Sequence, residues 1–573
     1  MIDVNKLPLS TTSFSNFILK NKIYVDKTDL IAKLALGDTP IFLSRPRRFG
    51  KSTLVSTFDE LFTHGLEKFK GLKIDTQNLW HDKTYKVLHL DFSAFREDVA
   101  EVTFADKLFA HLKTKLKRVS LDIVESKYVI SSFNDALENA EDNSLVLLID
   151  EYDAPLTATM GDANEFNNRR KILSDFFLTI KRYSEKFRFI FITGVTRYSH
   201  VSIFSGFNNL KDKSFDPIYG TIVGYTQEEL EFYFKAYLEN AALALNQEEN
   251  TDKYTYDLIL QKIKENYDGF SFDLKELRRV YNPWSILSFL EYPDGDFDAY
   301  WFNSGGYRPK LLTDYIESKI SEDLNKTYLL NFLDKDFQIK TTVEKLTPAL
   351  NSLVEGPFPY EAILYQAGYF TLKRVDGSDL YIGLTNLEVQ KKFERFVLEK
   401  LLNTSIETFS YDNDELIKSA FNHKNLNNLK ELLNVILNEC SYETVPTFEE
   451  KHFRDLYKGT IKCLGFKTHT ETLLSEGRAE LDIEALKYVY VLELKVVNEN
   501  DPQKIEEKLL EAKAQIKDLK YDKRLDKWLN GREVVGLACV IVNQNKDEKH
   551  DTTFRELVRL VEVGPVRMET KKD

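Results

Sequence analysis

Cysteine is scarce in this chain. Its 573 residues include three cysteines, Cys440, Cys463 and Cys539, which are scattered and form no C-x-x-C pair. This distribution excludes a disulfide framework and a cysteine-ligated zinc site, and it is typical of a reducing compartment.

Long apolar runs and an excess of basic residues are missing as well. No stretch approaches the roughly 20 apolar residues of a membrane-spanning helix. The N-terminal residues contain no basic segment followed by an apolar one, so no signal peptide is expected. The formal net charge of -13 excludes a uniformly basic surface for nucleic acid but leaves room for a local basic groove. We therefore expect a cytoplasmic protein without a membrane partner.

A phosphate-binding motif organises the first part of the chain. A short apolar strand over 40–44 leads into a loop that ends in Gly50-Lys51-Ser52-Thr53, the second half of GxxxxGK[ST]. Gly50 lets the backbone approach the phosphates, Lys51 reaches the β- and γ-phosphates, and the Ser52 hydroxyl joins the Mg²⁺ shell. These residues predict a nucleotide site that takes ATP and Mg²⁺.

The first half of this motif is unusual. Arg45 stands where the first glycine belongs, and Arg47, Arg48 and Phe49 follow it. We assign the whole loop over 45–53 to nucleotide binding.

Two carboxylates follow an apolar run further along the chain. The run over 145–149 precedes Asp150 and Glu151, and it predicts a buried parallel strand with acids at its carboxyl edge. Asp150 is expected in the Mg²⁺ shell, and Glu151 is expected to orient the attacking water. The alternative is a core strand followed by a solvated acidic turn.

Strands alternate with helices in this region. Strands over 40–44, 87–93, 145–150 and 187–194 predict a parallel sheet with ligands at its carboxyl edge. Thr193 closes the fourth strand and is expected to sense the γ-phosphate. Arg197 follows and is expected to contact phosphate in cis or in trans, with a surface ion pair as the alternative.

The composition changes after about residue 225. Thr226 and Glu229 form a predicted capping box, and helical patterning continues to about 290, which favours a helical lid. Segments 365–372 and 380–384 predict a small hairpin. The segment 24–28 is interpreted as a surface turn.

A second group of acids lies near the C-terminus. An amphipathic helix over 450–464 begins with Glu450. Strand alternation then places Glu480 and Asp482 on one face, and Glu493 and Lys495 on a shared face of the next strand. An acid on one strand, followed by E-x-K on the next strand, is the order found in the PD-(D/E)XK nucleases.

The residue types suit phosphodiester cleavage. Glu450, Glu480 or Asp482, and Glu493 offer hard oxygen ligands for Mg²⁺ or Mn²⁺, and Lys495 is expected to stabilise the transition state. A helix over 505–519 carries Gln515 and lysines that would face a phosphate backbone. The alternative is a half-exposed strand with an ion pair.

Together these motifs resemble a bacterial and archaeal family that joins an AAA-ATPase-like domain to a C-terminal PD-(D/E)XK nuclease domain. Matching segments include YVDKT at 24–28, RPRRFGKS at 45–52, LLIDEYDAPL at 147–156, GRAE at 477–480 and LELK at 492–495. The resemblance implies that Arg45 is a family trait and that Asp26 and Lys27 border the nucleotide. The family usually has Asp where Glu480 stands, so Glu480 and Asp482 both remain candidate ligands.

The sequence therefore predicts an α/β protein in four parts. These are an AAA-like P-loop ATPase core over 1–225, a helical lid over 226–345, a connector with a hairpin over 346–437 and a PD-(D/E)XK nuclease-like domain over 438–573. The expected function is an ATPase coupled to a metal-dependent nuclease, with DNA favoured over RNA, a homo-oligomer as a further expectation and defence as a setting. The alternative is a nucleotide-dependent scaffold or sensor whose nuclease fold only binds nucleic acid or protein.

Overall fold

A computed structural model of the chain describes residues 2–96, 102–121, 129–160, 162–197, 203–204, 207, 209–275, 277–304, 310–322, 327–334, 336–349, 352, 357–440, 448–469, 481–518, 531–543 and 557–563. The chain divides into two compact units. The first unit comprises Met1–Arg308 and Gln338–Gln390, and the second comprises Pro309–Phe337 and Lys391–Asp573. The four-part division remains a prediction.

Helices alternate with strands along most of the chain. The helices of the described residues are α1 (Phe14–Leu19), α2 (Thr28–Ala35), α3 (Lys51–His64), α4 (Lys73–Thr76), α5 (Phe104–Arg118), α6 (Val129–Glu138), α7 (Ala154–Thr157), α8 (Ala163–Arg182), α9 (Gln227–Glu248), α10 (Tyr256–Tyr267), α11 (Pro283–Glu291), α12 (Tyr300–Asn303), α13 (Lys310–Glu322), α14 (Thr327–Leu330), α15 (Tyr360–Ala367), α16 (Leu387–Leu401), α17 (Ile406–Asp412), α18 (Asp414–Asn422), α19 (Leu426–Glu439), α20 (Glu450–Cys463) and α21 (Pro502–Asp518). Among them, none has both the length and the apolar character that crossing a bilayer requires.

The strands are shorter and fall into separate sheets. They are β1 (Ile41–Ser44), β2 (Lys86–Asp91), β3 (Leu145–Asp150), β4 (Phe187–Gly194), β5 (Lys211–Asp212), β6 (Phe270–Ser271), β7 (Arg279–Val280), β8 (Ile339–Thr341), β9 (Phe370–Asp376), β10 (Asp379–Leu384), β11 (Lys467–His469), β12 (Leu481–Glu484), β13 (Tyr488–Val497), β14 (Glu533–Val542) and β15 (Val558–Val563).

The first unit is built on the predicted parallel sheet. Its strand order within the described residues is β2-β3-β4-β1-β5, and every neighbouring pair is parallel. All six residues of β3 are buried, as expected for a strand covered on both faces. One core cluster packs α3 against the sheet through Val55, Phe58 and Phe62. The carboxyl ends of β1, β3 and β4 therefore meet at one edge, where the predicted site residues follow.

A second core of the first unit joins α9, α10 and α11. It includes Phe234, Ile259 and Ile286. Thr226 caps α9 and forms the predicted capping box with Glu229, so this helix start is confirmed. The helical patterning after 225 thus packs as a cluster of its own.

The hairpin lies in the first unit, and its predicted start was wrong. Residues 365–367 close α15, and Gly368 ends that helix with φ of 98° before β9 begins. The strands β9 and β10 form the predicted antiparallel pair, with β8 on the other side of β10.

The second unit contains a mixed sheet. Its order is β11-β12-β13-β14-β15, and only the β13–β14 pair is parallel within the described residues. A parallel pair needs a crossover connection, and α21 packs against both of these strands. Ala512 and Ile516 of α21 share a core cluster with Val489 and Val491 of β13. The predicted mixed α/β class is therefore confirmed for both units.

Candidate active sites

The phosphate loop has the backbone that its glycine predicts. Gly50 adopts φ of 90° and directly precedes α3. A Cβ added to Gly50 would meet open space, so conformation and not crowding requires glycine there. Arg48 also has a left-handed φ, of 63°. The loop thus turns sharply and delivers Lys51 and Ser52 as the first residues of a helix.

Lys51 lies inside this loop. Its side chain is buried, and Nζ donates to the carbonyl oxygen of Pro46 at 2.9 Å. Burial lowers the pKa of Lys51, and the carboxylates of Asp150, Asp153 and Glu151 oppose that shift. The ammonium therefore sits among acids at the carboxyl edge of the sheet.

Asp150 offers an unused oxygen beside Ser52. The carboxyl group is buried, and its Oδ1 has no hydrogen-bond partner. Burial raises the pKa of Asp150, while a hydrogen bond from Ser52 and the charge of Lys51 lower it. A buried carboxylate oxygen without a partner, next to a hydroxyl, is a donor set that suits Mg²⁺. These residues fit the predicted ion.

Glu151 follows in a strained conformation. Its φ is 53°, which is unusual for a residue with a side chain. Oε2 accepts from Nη2 of Arg96 at 2.5 Å. Burial raises the pKa of Glu151, and Arg96 opposes that shift. Sequence reasoning missed Arg96, because a single arginine in a loop carries no pattern.

Arg45 does not face the phosphate cradle. Its side chain is 1% exposed and donates to the carbonyls of Ser44, Ser214 and Tyr219 at 2.8–2.9 Å. The guanidinium also lies 4.3 Å from the ring centre of Phe272. Burial lowers its pKa to about 10. These contacts place Arg45 in the packing beneath the loop, so we no longer assign it to direct nucleotide contact.

Phe49 and Thr53 also serve the packing around the loop. Phe49 is buried, with edge contacts to the rings of Phe270 and Phe272 at 4.7 and 5.4 Å. Thr53 lies in the first turn of α3, and its carbonyl accepts from Thr57 at 2.8 Å. The assignment of Phe49 and Thr53 to nucleotide binding remains a prediction.

The two exposed arginines of the loop meet aromatic residues of the helical region. The guanidinium of Arg48 lies 4.4 Å from the ring centre of Trp284. The carbonyl of Arg47 accepts from Nε1 of Trp301 at 3.1 Å. The loop is therefore joined directly to the segment predicted as a lid.

Thr193 and Arg197 are engaged elsewhere. The Thr193 hydroxyl donates to the carbonyl of Leu43 at 2.6 Å, across the β1–β4 pair. Arg197 forms an ion pair with Asp212 and donates to the Thr347 hydroxyl. Its guanidinium also stacks on Phe215 at 4.6 Å. An ion pair was the alternative for Arg197, but the pair observed is largely buried and does not lie at the surface. The contact of Arg197 with phosphate remains a prediction.

The segment at 24–28 is not a surface turn. Asp26 accepts from the backbone and hydroxyl of Thr28 and from the backbone of Lys73. Lys27 forms an ion pair with Glu229 at 2.7 Å and is buried. The surface-turn prediction was wrong because each polar group here has an internal partner. The implied place of Asp26 and Lys27 beside the nucleotide remains a prediction.

The second site lies in the second unit. On β13, Glu493 and Lys495 are 1% and 7% exposed. Nζ of Lys495 lies 3.2 Å from Oε1 of Glu493 and 3.4 Å from Oε1 of Glu450, the first residue of α20. The helix α20 and the strand β13, which carry these residues of the predicted motif, therefore lie in contact.

Asp482 lies on the neighbouring strand. It is opposite Val491 in the β12–β13 register, so it shares a sheet face with Glu493. Asp482 is 3% exposed. Glu480 lies outside the described residues, as does the rest of GRAE at 477–480. Among the described side chains, no group of three or more His, Cys, Asp or Glu is arranged to hold a metal ion.

Two of the buried oxygens that lack hydrogen-bond partners in this unit belong to residues of the predicted site. They are Oε2 of Glu493 and Oε1 of Gln515, on the helix that covers the strand. Burial raises the pKa of Glu493 to about 7, and Lys495 opposes that shift. Unused hard oxygens are what a divalent cation would bind, so the chemistry of these residues fits the ion.

The helix α21 only partly has the positive charge that was expected to face a phosphate backbone. Lys508 of α21 forms an ion pair with Glu511 of the same helix at 2.5 Å. Lys513 is half-buried and Lys517 is exposed. The positive charge that would face a phosphate backbone is therefore reduced by acids of the same helix.

Comparisons with known proteins match two separate regions of this chain. Residues 8–204 match the family described as a predicted AAA-ATPase. Residues 448–550 match the PD-(D/E)XK nuclease superfamily. The chain thus contains an N-terminal region that matches a predicted AAA-ATPase and a C-terminal region that matches the PD-(D/E)XK nuclease superfamily, which confirms the architecture predicted from the motifs.

A relative from Azotobacter chroococcum mcd 1 has a similar length. It is described as an uncharacterized protein in the vnfD 5′ region, and it is 26% identical over 507 residues. The similarity covers 86% of this chain and 89% of that protein. The similarity therefore spans most of both chains.

Proposed function

We propose that this chain binds and hydrolyses ATP at the first site and cleaves nucleic-acid phosphodiesters at the second. The observation that carries the proposal is the meeting of Glu450, Glu493 and Lys495, with the buried Oε2 of Glu493 left without a hydrogen-bond partner. A carboxylate pair beside a buried ammonium is the donor set that phosphodiester hydrolysis needs.

At the first site, each residue of the chain has a distinct part. Lys51 leaves the Pro46 carbonyl to meet the β- and γ-phosphates, whose charge exceeds that of a neutral carbonyl. The amide groups at the start of α3 face the same anion. The Glu151 carboxylate, which lies at the sheet edge beside Asp150, accepts a hydrogen bond from the attacking water and takes its proton as the water oxygen bonds to the γ-phosphorus.

At the second site, Lys495 is the fixed cation. Its buried ammonium neutralises charge that develops on the phosphorus oxygens, and Glu450 and Glu493 hold it in place. Divalent cations would supply further positive charge against phosphate oxygens. Asp150 with Ser52 would hold the cation of the first site. Glu450, Glu493 and Asp482 or Glu480 would hold that of the second.

DNA is the substrate we favour, in a cytoplasmic setting of defence against foreign nucleic acid. ATP binding would be the event that governs cleavage, because the phosphate loop contacts Trp284 and Trp301 of the helical region. Any homo-oligomer would add to this arrangement and is not needed for either site.

A second function has one observation in its favour. Glu480 stands where the related family usually has Asp. A nucleotide-dependent scaffold or sensor that binds nucleic acid or protein without cutting would have such a site.

Plasmid cleavage with Mg²⁺ or Mn²⁺ and ATP separates the two functions. We expect cleavage by the natural chain and its loss in Glu493→Ala and Lys495→Ala. Lys504→Ala is the matched control, since Lys504 is an exposed lysine paired with Glu499 in the same unit. No cleavage by the natural chain, or equal cleavage by all variants, would favour the scaffold.

A separate experiment tests the nucleotide site. Lys51→Ala should abolish tight ATP binding, measured by titration with a fluorescent ATP analogue. Lys186→Ala removes an ion pair with the exposed Asp142 and serves as the control. Tight binding by Lys51→Ala would contradict the assignment.

A further inference from the structure

Arg96 and Glu151 meet at the carboxyl edge of the parallel sheet. Arg96 follows a short helical turn over 92–95 after β2, and Glu151 follows β3. The two strands are neighbours, with Asp91 opposite Asp150 at their ends. Their following residues therefore reach each other, and Nη2 of Arg96 lies 2.5 Å from Oε2 of Glu151.

The backbone of Glu151 is fixed in an unfavourable conformation. Its φ is 53°, and hydrogen bonds hold the chain that directly follows. The amide of Tyr152 donates to the carbonyl of Thr193 at 3.1 Å, and the amide of Ala154 donates to the carbonyl of Glu151 at 2.9 Å. Conformations of this kind concentrate at functional sites, where the surroundings impose them. These backbone bonds leave the side-chain torsions of Glu151 free to rotate.

The guanidinium of Arg96 removes that freedom from the solvent side. Its side chain is 41% exposed, while that of Glu151 is 21% exposed. Two of the arginines predicted to contact the nucleotide are engaged elsewhere, since Arg45 donates to buried carbonyls and Arg197 pairs with Asp212. Arg96 is thus the arginine observed in contact with the acid expected to orient water.

We propose that Arg96 is a positioning residue for ATP hydrolysis, which holds the Glu151 carboxylate against the sheet edge so that its second oxygen faces the attacking water. This inference rests on the proposed ATPase function of the first site. A planar guanidinium fixes both position and direction of a carboxylate, which a flexible ammonium does less well. Misplacement of a catalytic group by about 1 Å lowers rates by about a hundredfold.

The test measures kcat for ATP hydrolysis and Kd for ATP in the full chain. Arg96→Ala should lower kcat by about tenfold to a hundredfold and leave Kd unchanged, because Arg96 acts through Glu151. Arg96→Lys should restore part of the rate. In a Glu151→Gln background, Arg96→Ala should add little, since the group that it positions is already disabled.

Several results would overturn this inference. They are an unchanged or raised kcat in Arg96→Ala, a full additional loss in the Glu151→Gln background, or an equal loss in the control Lys186→Ala. Wild-type protein that neither binds nor hydrolyses ATP would remove the proposed function and the inference together. Hydrolysis that depends on Glu151 but not on Arg96 would remove the inference alone.

Discussion

Glu388 is a buried acid whose charge is costly to the first unit. It is fully buried near the start of α16, and burial raises the pKa of its carboxyl to about 7 from an ordinary value of 4.5. Oε1 accepts from the amides of Trp301 and Phe302 at 2.6 and 3.1 Å, and Oε2 accepts from the Ser285 hydroxyl at 3.0 Å. This acid thus holds the segment whose Trp301 indole donates to the phosphate loop.

The sign of its pH dependence follows from the direction of the shift. Because the folded pKa lies above the unfolded one, the folded state binds the proton more tightly between pH 4.5 and about 7. The corresponding stability is fully present below pH 4.5 and is lost as the pH rises through about 7. The shift corresponds to roughly 3 kcal/mol, at about 1.4 kcal/mol per pKa unit.

The variant Glu388→Gln isolates this effect. The amide oxygen of glutamine can accept from both backbone amides, and its NH₂ can donate to Ser285, so the contacts survive without a titratable group. Between pH 5 and 8, the melting temperature of the natural chain should fall by about 4 °C more than that of Glu388→Gln, for a unit of this size.

Thermal melts at both pH values make the comparison, with nucleotide absent. Glu239→Gln, on the exposed face of α9, is the matched control and should follow the natural chain. Parallel pH profiles for the natural chain and Glu388→Gln would refute the reasoning, as would a control that behaves like Glu388→Gln.

Two further predictions concern the phosphate loop. Arg45→Lys should lower the free energy of unfolding by about 2 kcal/mol or more in thermal or denaturant melts, because a single ammonium nitrogen cannot span the carbonyls that Nη1 and Nη2 of the guanidinium reach separately, and an unchanged stability would contradict this packing role. Trp301→Phe keeps an aromatic ring but loses the hydrogen bond from the indole to the Arg47 carbonyl, so the Kd of a fluorescent ATP analogue should rise about fivefold. Trp284→Phe retains an aromatic face for Arg48 and should change that Kd less.

The sequence predicted the parts of the fold that depend on local pattern. Apolar runs with acids behind them became β3 and β13, and the Thr226 capping box begins α9 where expected. Such features depend on residues that are close in the sequence, so a local pattern predicts them. The residues 365–367 were assigned to a strand because aromatic residues favour strands, yet Gly368 closes a helix there.

The side-chain partners could not be predicted in the same way. Arg45 matches a phosphate motif, but its carbonyl partners come from residues about 170 positions away. Lys27 pairs with Glu229, which lies on α9. Contacts between residues so far apart in the sequence depend on the topology of the fold, and no periodic pattern in the chain predicts them.

Mn²⁺ binding tests the central claim, that two separate groups of side chains each hold a divalent cation. The measurement is an electron paramagnetic resonance titration of the full chain with a non-hydrolysable ATP analogue present. Asp150→Asn and Glu493→Gln should each remove a different class of Mn²⁺ sites, and the double variant should remove both. If both variants bind Mn²⁺ as the natural chain does, the account is contradicted.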